Sequence, residues 1–302
     1  MVTTPALASD GVREINQTCA GLTGCFTGDT AGFPVTISSA GSYRLTSNLL
    51  VPNAFTDGIV VSTSSVSIDL NGFEIAGPVV CSGDPLLCSP ASGDGSGVER
   101  VSSTNSGISV KNGSITGMGA YGVLLGNQAE VSNLRVRWNR LAGISTASGS
   151  TVSGNTAFEN GDEGIFASPG STVSGNAAFG NGDDGISAGN GSIVSSNTVY
   201  QNGADGIATG AGATVSGNTA YDNGDASNST ADDGIQCGAG SIAHGNSVRS
   251  NSGSGLNLST DSAYSDNVVT FNTTGTVTGA GSANNRGGNY CSGTGTVSAN
   301  CP

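Results

Sequence analysis

Carboxylates recur in this chain at a fixed interval. Glu163, Asp184 and Asp205 lie 21 residues apart and Asp233 follows 28 residues later, while Asp162, Asp183 and Asp232 occupy the position before. If that interval is one turn of a repeating fold, with strands about 4.8 Å apart, neighbouring carboxylates repel by roughly 1 kcal/mol in water and about 3.5 kcal/mol at an effective dielectric of 20. Such a row needs compensation from water, from N–H groups of the glycine turns that follow, or from a cation such as Ca²⁺. Glu163, Asp184, Asp205 and Asp233 are therefore candidate Ca²⁺ ligands, weighed against the plainer reading of Asp-Gly turn chemistry. The sequence contains no nine-residue calcium-binding repeat.

An aromatic row keeps the same interval. Phe158, Phe179, Tyr200 and Tyr221 share one repeat position, bounded by Arg137 and Arg249. A line of exposed rings suits sugar faces, and neighbouring carboxylates suit sugar hydroxyls. With Trp138 these rings are the candidate substrate-binding residues for a polysaccharide or glycan; the alternative is a stack that stabilises the sheet. Arg135, Arg137 and Arg140 cluster with Trp138, and Glu159, Asp162 and Asp183 follow on the next two repeats. Ion pairs joining successive turns would account for that grouping. His244, the only histidine, replaces a serine in the row Ser132, Ser153, Ser174, Ser195 and Ser216. Its serine neighbour thus follows from the repeat and is no sign of a catalytic triad.

The elements that must hold these rows follow from the period. Gly143-Ile144, Gly164-Ile165, Gly185-Ile186 and Gly206-Ile207 recur every 21 residues, Gly234-Ile235 arrives after 28, and Gly255-Leu256 resumes the step. Asn155, Asn176, Asn197 and Asn218 form one asparagine series, and Asn160, Asn181, Asn202 and Asn223 a second. A short period with one loop of slack means stacked structural units. From Thr151 to Phe166, alternating apolar residues broken by turn residues read as three short strands. Alternation points the Val152, Ala157 and Ile165 series inward, and winding one unit per turn stacks identical side chains. Stacked asparagine amides then bond along the axis, since an amide both donates and accepts.

The Val-Ser-Gly-Asn and Asn-Gly-Asp-Asp-Gly-Ile units from about 118 to 272 carry a family resemblance, as do less regular coils at Gly58-Ile59-Val60-Val61, Val66–Phe73 and Gly107-Ile108-Ser109-Val110. The chain resembles the right-handed parallel β-helix proteins of the pectate-lyase-like superfamily, including their carbohydrate-binding and sugar-hydrolase repeats. The resemblance implies an all-β, single-stranded right-handed parallel β-helix of about nine coils of roughly 21 residues, with N- and C-terminal caps. Residues 1–8 are expected to be a signal-peptide remnant or cloning-derived, 9–50 the first cap, 51–272 the β-helix with insertions at about 77–96 and 225–231, and 273–302 the second cap. Lyases, hydrolases, epimerases, phage spikes and adhesins share the fold, so it does not dictate function. Polysaccharide lyases of this kind use acidic Ca²⁺ ligands and an arginine or lysine base on one face. That implies Arg137, Arg140, Asp162 and Asp183 as candidate catalytic residues. No family catalytic signature overlies them, and an Asp-Pro-His-Asp sequence of the alginate-epimerase kind is absent.

Composition narrows the partners. A net charge of −13 and a single lysine, Lys111, argue against nucleic acid and anionic membranes. No apolar run approaches the roughly 18 residues of a spanning helix, and strict apolar periodicity excludes disorder despite 50 glycines. Seven cysteines suggest an oxidising compartment and pairs Cys19–Cys25, Cys81–Cys88 and Cys291–Cys301. Cys237 is then free and buried. Ala6-Leu7-Ala8 before Ser9 has the small residues of a leader's end, so a secreted or cell-surface location is expected. Three functions stand open: a β-helix that binds or processes polysaccharide along one acidic and aromatic edge; a structural or adhesive surface protein able to self-associate; and a pectate-lyase-like enzyme in the strict sense.

Overall fold

The computed structural model describes residues 11–224, 232–279, 284–293 and 301. The expected leader remnant at 1–8 and the insertion at 225–231 lie outside the described residues. Each regular coil contributes three strands, such as Ile144–Thr146, Thr151–Ser153 and Thr156–Phe158. Each strand pairs in parallel with its counterpart one coil on: Ile144 with Ile165, Val152 with Val173, and Ala157 with Ala178. The first strands build one 11-stranded sheet, and the second and third strands share a 21-stranded sheet. The expected right-handed parallel β-helix is the fold. Its ladder counts 11 coils among the described residues, more than the nine or so expected. The surplus comes from segments read as caps: Val35–Ile37 and Gly275–Gly279 each add a strand to the ladder, hidden in the sequence by irregular spacing.

The inward rows fall where alternation puts them, and Val152, Ala157 and Ile165 are fully buried. Because Val and Ala fill most interior positions of the second and third strands, the core is a narrow column. The corner between those strands is turned by a left-handed residue, Gly154, Gly175, Ser196 and Gly217 in successive coils, immediately before a ladder asparagine. Asn176 shows the bonding: Nδ2 donates to Asn197 Oδ1 at 3.0 Å and to Val152 O at 2.9 Å, while Oδ1 accepts from the Asn155 N–H at 2.9 Å. Buried turn backbone is thereby satisfied by side chains one coil away. The second ladder explains the Gly-Ile motif. A Cβ at Gly185 would meet Asn202 Nδ2 at 2.6 Å and Gly206 O at 2.7 Å, so only glycine fits against the ladder amide.

The three disulfides Cys19–Cys25, Cys81–Cys88 and Cys291–Cys301 are formed, and Cys237 is a buried free thiol. Burial pushes that thiol up to about 12. A soluble disulfide reagent is expected to find no reactive thiol in the native protein at neutral pH and one equivalent after unfolding; fast native labelling would contradict this burial. No helix is long and apolar enough to cross a membrane.

Candidate functional site

The acidic residues occupy the turn that leads from the third strand of one coil to the first strand of the next. There the backbone itself answers the charge. The Asp205 N–H donates to Asp184 Oδ1 at 3.0 Å, the Asp233 N–H to Asp205 Oδ1 at 2.6 Å, and the Ser254 N–H to Asp233 Oδ1 at 2.7 Å. Asn257 Nδ2 donates to Asp233 Oδ2 at 2.7 Å. The row is thus a third ladder, built of carboxylates where the other two use amides. Burial, then the charge of Asp205, raises the Asp184 carboxyl to about 8. Burial also lifts Asp205 to about 7, against the N–H bond from Asp233. Glu163 and Asp233 are raised by burial as well.

At the N-terminal end of this ladder Asp162, Glu163 and Asp183 each offer a carboxylate oxygen, all within 4.8 Å of one another. Two oxygens bound to one Ca²⁺ at about 2.4 Å lie at most twice that distance apart, so the donor set fits a hard divalent cation. Expected catalytic residues Asp162 and Asp183 therefore meet the expected metal ligand Glu163, while Asp184, Asp205 and Asp233 run along the adjoining ladder. The edge continues into irregular coils that the period did not reach. The Asp57 and Glu99 carboxyls hydrogen-bond to each other, and burial raises both. Asp57 Oδ1 also accepts the Ser96 N–H at 2.7 Å. Tyr121 is raised by burial and by the charges of Asp162, Glu163 and Glu99. Glu99 was within reach of row counting, since it pairs with Val60 and Leu124 in the first-strand ladder; Asp57 carried no periodic signal.

The four rings stack face to face, with centroids 5.0, 4.7 and 4.9 Å apart and planes within 14° of parallel. Arg135 and Arg137 cover one end, 5.5 and 5.9 Å from the Phe158 centroid, and Arg249 covers Tyr221 at 4.5 Å. Both faces of Phe179 and Tyr200 are taken by neighbouring rings. Face-on sugar stacking is closed to them, leaving ring edges and tyrosine hydroxyls to meet a ligand.

Nor do the arginines form the expected ion pairs: among the described residues none of Arg135, Arg137 and Arg140 pairs with a carboxylate. Arg137 lies over Trp138 at 4.0 Å, and the indole Nε1 donates to Glu159 Oε2 at 2.7 Å. Arg140 donates to Gly119 O at 2.7 Å and through Nη2 to Gly93 O at 2.9 Å, which ties the 77–96 excursion to the helix. That excursion is an antiparallel hairpin, Val80–Ser82 with Leu87–Ser89, clamped by Cys81–Cys88. Its apolar side packs with Ala54 and Trp138, and a Cβ at Gly161 would come within 2.9 Å of Cys88 Sγ. The hairpin thus stands as a wall beside Asp162.

Residues 96–238 match the family model described as the right handed beta helix region. This chain is a right-handed parallel β-helix protein. The β-helix is similar to the A-module of the mannuronan C-5 epimerase AlgE4 of Azotobacter vinelandii, at 14% identity over 95% of this chain and 87% of that one, with a TM-score of 0.58. It is also similar to the Dettilon tailspike protein, at 15% identity over 93% of this chain and 68% of that one, TM-score 0.59. A third is a point mutant of the periplasmic alginate epimerase AlgG, at 15% identity over 94% and 73% of the two chains, TM-score 0.58. At such identity the likeness is one of fold. No curated protein matches the sequence of this β-helix.

Proposed function

We propose that this protein is a secreted or cell-surface β-helix that binds or processes a polysaccharide laid along the acidic edge. The observation that carries this reading is the convergence of Asp162, Glu163 and Asp183, within 4.8 Å, beside the hairpin wall. Asp184 and Asp205, raised to about 8 and about 7, retain protons near neutrality and are suited to donate to sugar oxygens, whereas ionised carboxylates accept from sugar hydroxyls. A Ca²⁺ held by Asp162, Glu163 and Asp183 would supply Lewis-acid polarisation of a sugar oxygen. Arg137, over Trp138, is a candidate base; Arg140, bonded to two carbonyls, positions the hairpin. Two structures similar in fold are named as epimerases of mannuronan and of alginate, which supports a saccharide ligand, and three disulfides support an oxidising compartment.

A glycan array, with and without chelator, tests the reading. Binding is expected to fall at least about tenfold with Asp183→Asn, a loss of about 1.4 kcal/mol, and less with Tyr200→Phe, which keeps the stack and removes one hydroxyl. Absence of binding to every glycan, or binding indifferent to both changes, would overturn it. The second reading, a structural or adhesive protein, is favoured by the internally satisfied ring stack and by Ile193 and Ile242, both about half exposed on the 21-stranded sheet. Concentration-dependent oligomers without glycan binding would establish that alternative.

A further inference from the structure

The large sheet carries a second feature, away from the acidic turn. Ser114 pairs with Glu74 on one side and with Arg135 on the other, and Thr116 pairs with Ala76 and Arg137. Two short hydroxyl side chains therefore lie between long ones in adjacent coils. The result is a cleft of about 180 Å³ lined by Glu74, Ser114, Thr116, Arg135 and Arg137. Glu74 is engaged within it, accepting from Thr116 Oγ1 at 2.8 Å. The other acid of the neighbourhood, Glu159, is taken by the Trp138 indole.

Neither guanidinium has an ion pair or hydrogen bond among the described residues; both instead lean on rings, Arg137 at 4.0 Å from Trp138 and Arg135 at 5.5 Å from Phe158. In a chain with 22 acidic and 9 basic residues, two adjacent cations without acid partners are unexpected on charge statistics alone. Ring contacts hold the guanidinium planes while leaving N–H edges unbonded, the arrangement that suits a carboxylate or sulfate oxygen pair. The cleft is smaller than the roughly 300–1,000 Å³ of drug-sized sites, so it suits a single sugar unit. The net charge of −13 opposes a polyanion.

We propose that this cleft is an oxyanion subsite for one carboxylate- or sulfate-bearing sugar on an otherwise neutral glycan, with Arg135 and Arg137 binding the anion. Ser114 Oγ and the Thr116 side chain line the floor beneath the sugar. This rests on the polysaccharide reading above and adds to it a second contact point, on a different face, with a stated charge pattern.

Calorimetric titration of the intact protein tests it, with glucuronate, glucose 6-sulfate and glucose as probes and polygalacturonate as the polyanion. Saturable binding of the two singly charged sugars is expected, with none of glucose and weaker binding per site of the polyanion. Arg135→Gln with Arg137→Gln should weaken binding at least tenfold, and Arg135→Lys should weaken it less; unchanged melting would show that folding is intact. Equal binding of glucose, or binding unaffected by the double substitution, would overturn the proposal. Preference for glucuronate or for the sulfate separates the two anion sources, and either upholds the site. The two readings fail separately. Polymer binding that responds to Asp183→Asn but not to the arginine changes removes only the cleft, whereas charged-sugar binding without polymer binding removes only the edge.

Discussion

Replacing Asn181 by alanine is expected to destabilise the protein by about 3–5 kcal/mol, among the largest effects of any single polar substitution. Its amide donates to Asn202 Oδ1 at 2.9 Å and to Ala157 O at 3.2 Å, and its oxygen accepts from Asn160 through the backbone N–H at 3.1 Å and Nδ2 at 3.0 Å. All of these groups are buried, so truncation leaves several without water or partner, each at about 1–3 kcal/mol before any cavity is counted. Asn181→Asp should be no milder, because a carboxylate has no hydrogens to donate and brings a buried charge. Asn190 is the control. Its Oδ1 accepts the Ala211 N–H at 2.8 Å in an exposed turn, where water replaces the bond, and alanine there should change stability by less than about 1 kcal/mol. Urea unfolding followed by far-ultraviolet circular dichroism compares the two; equal effects would refute the ladder's energetic role.

The second large effect concerns pH. Asp184 and Asp205 hold protons in the folded protein up to about 8 and about 7, whereas an unfolded chain releases them near 3.8. Between those limits the folded state binds more protons than the unfolded one. Their contribution is therefore complete below about pH 4 and is lost as the pH rises through 7 to 8. The melting temperature in chelator should fall between pH 5 and pH 9, by an amount corresponding to a few kcal/mol for so buried a pair. Asp184→Asn should flatten that slope and raise the melting point at pH 9, because the amide oxygen still accepts the Asp205 N–H. A melting temperature that rises or stays level over this range in wild-type protein would contradict the buried-carboxylate picture.

Much of the fold was legible because every regular coil meets a near-copy of itself above and below. Alternation at Val152, Ala157 and Ile165 is enough to place an inward row when each neighbour repeats the choice. Counting failed at the ends, where Val35–Ile37 and Gly275–Gly279 join the ladder at intervals no period reveals. Among the site residues, membership of a row was legible and choice of partner was not. Arg140 bonds to Gly93 O because the disulfide-clamped hairpin passes there, a path that spacing does not encode. The ring stack has a simpler lesson: rings repeating at strand separation leave no gap wide enough for a sugar between them. Asp57 and Glu99 escaped notice because they sit in coils whose spacing departs from the repeat.

The coil that spans 28 residues keeps every contact of its shorter neighbours. Ile207 pairs with Ile235, and Asn218 and Asn223 reach Asn246 and Asn251 at 3.1 and 2.9 Å. The two asparagine corners admit no change of length, since an added residue there would carry an amide out of line with those above and below. The third corner does admit it, and a lineage of such proteins is thereby free to try new loops at one edge, coil by coil, without renegotiating the rest of the molecule. That is the edge on which the carboxylates stand.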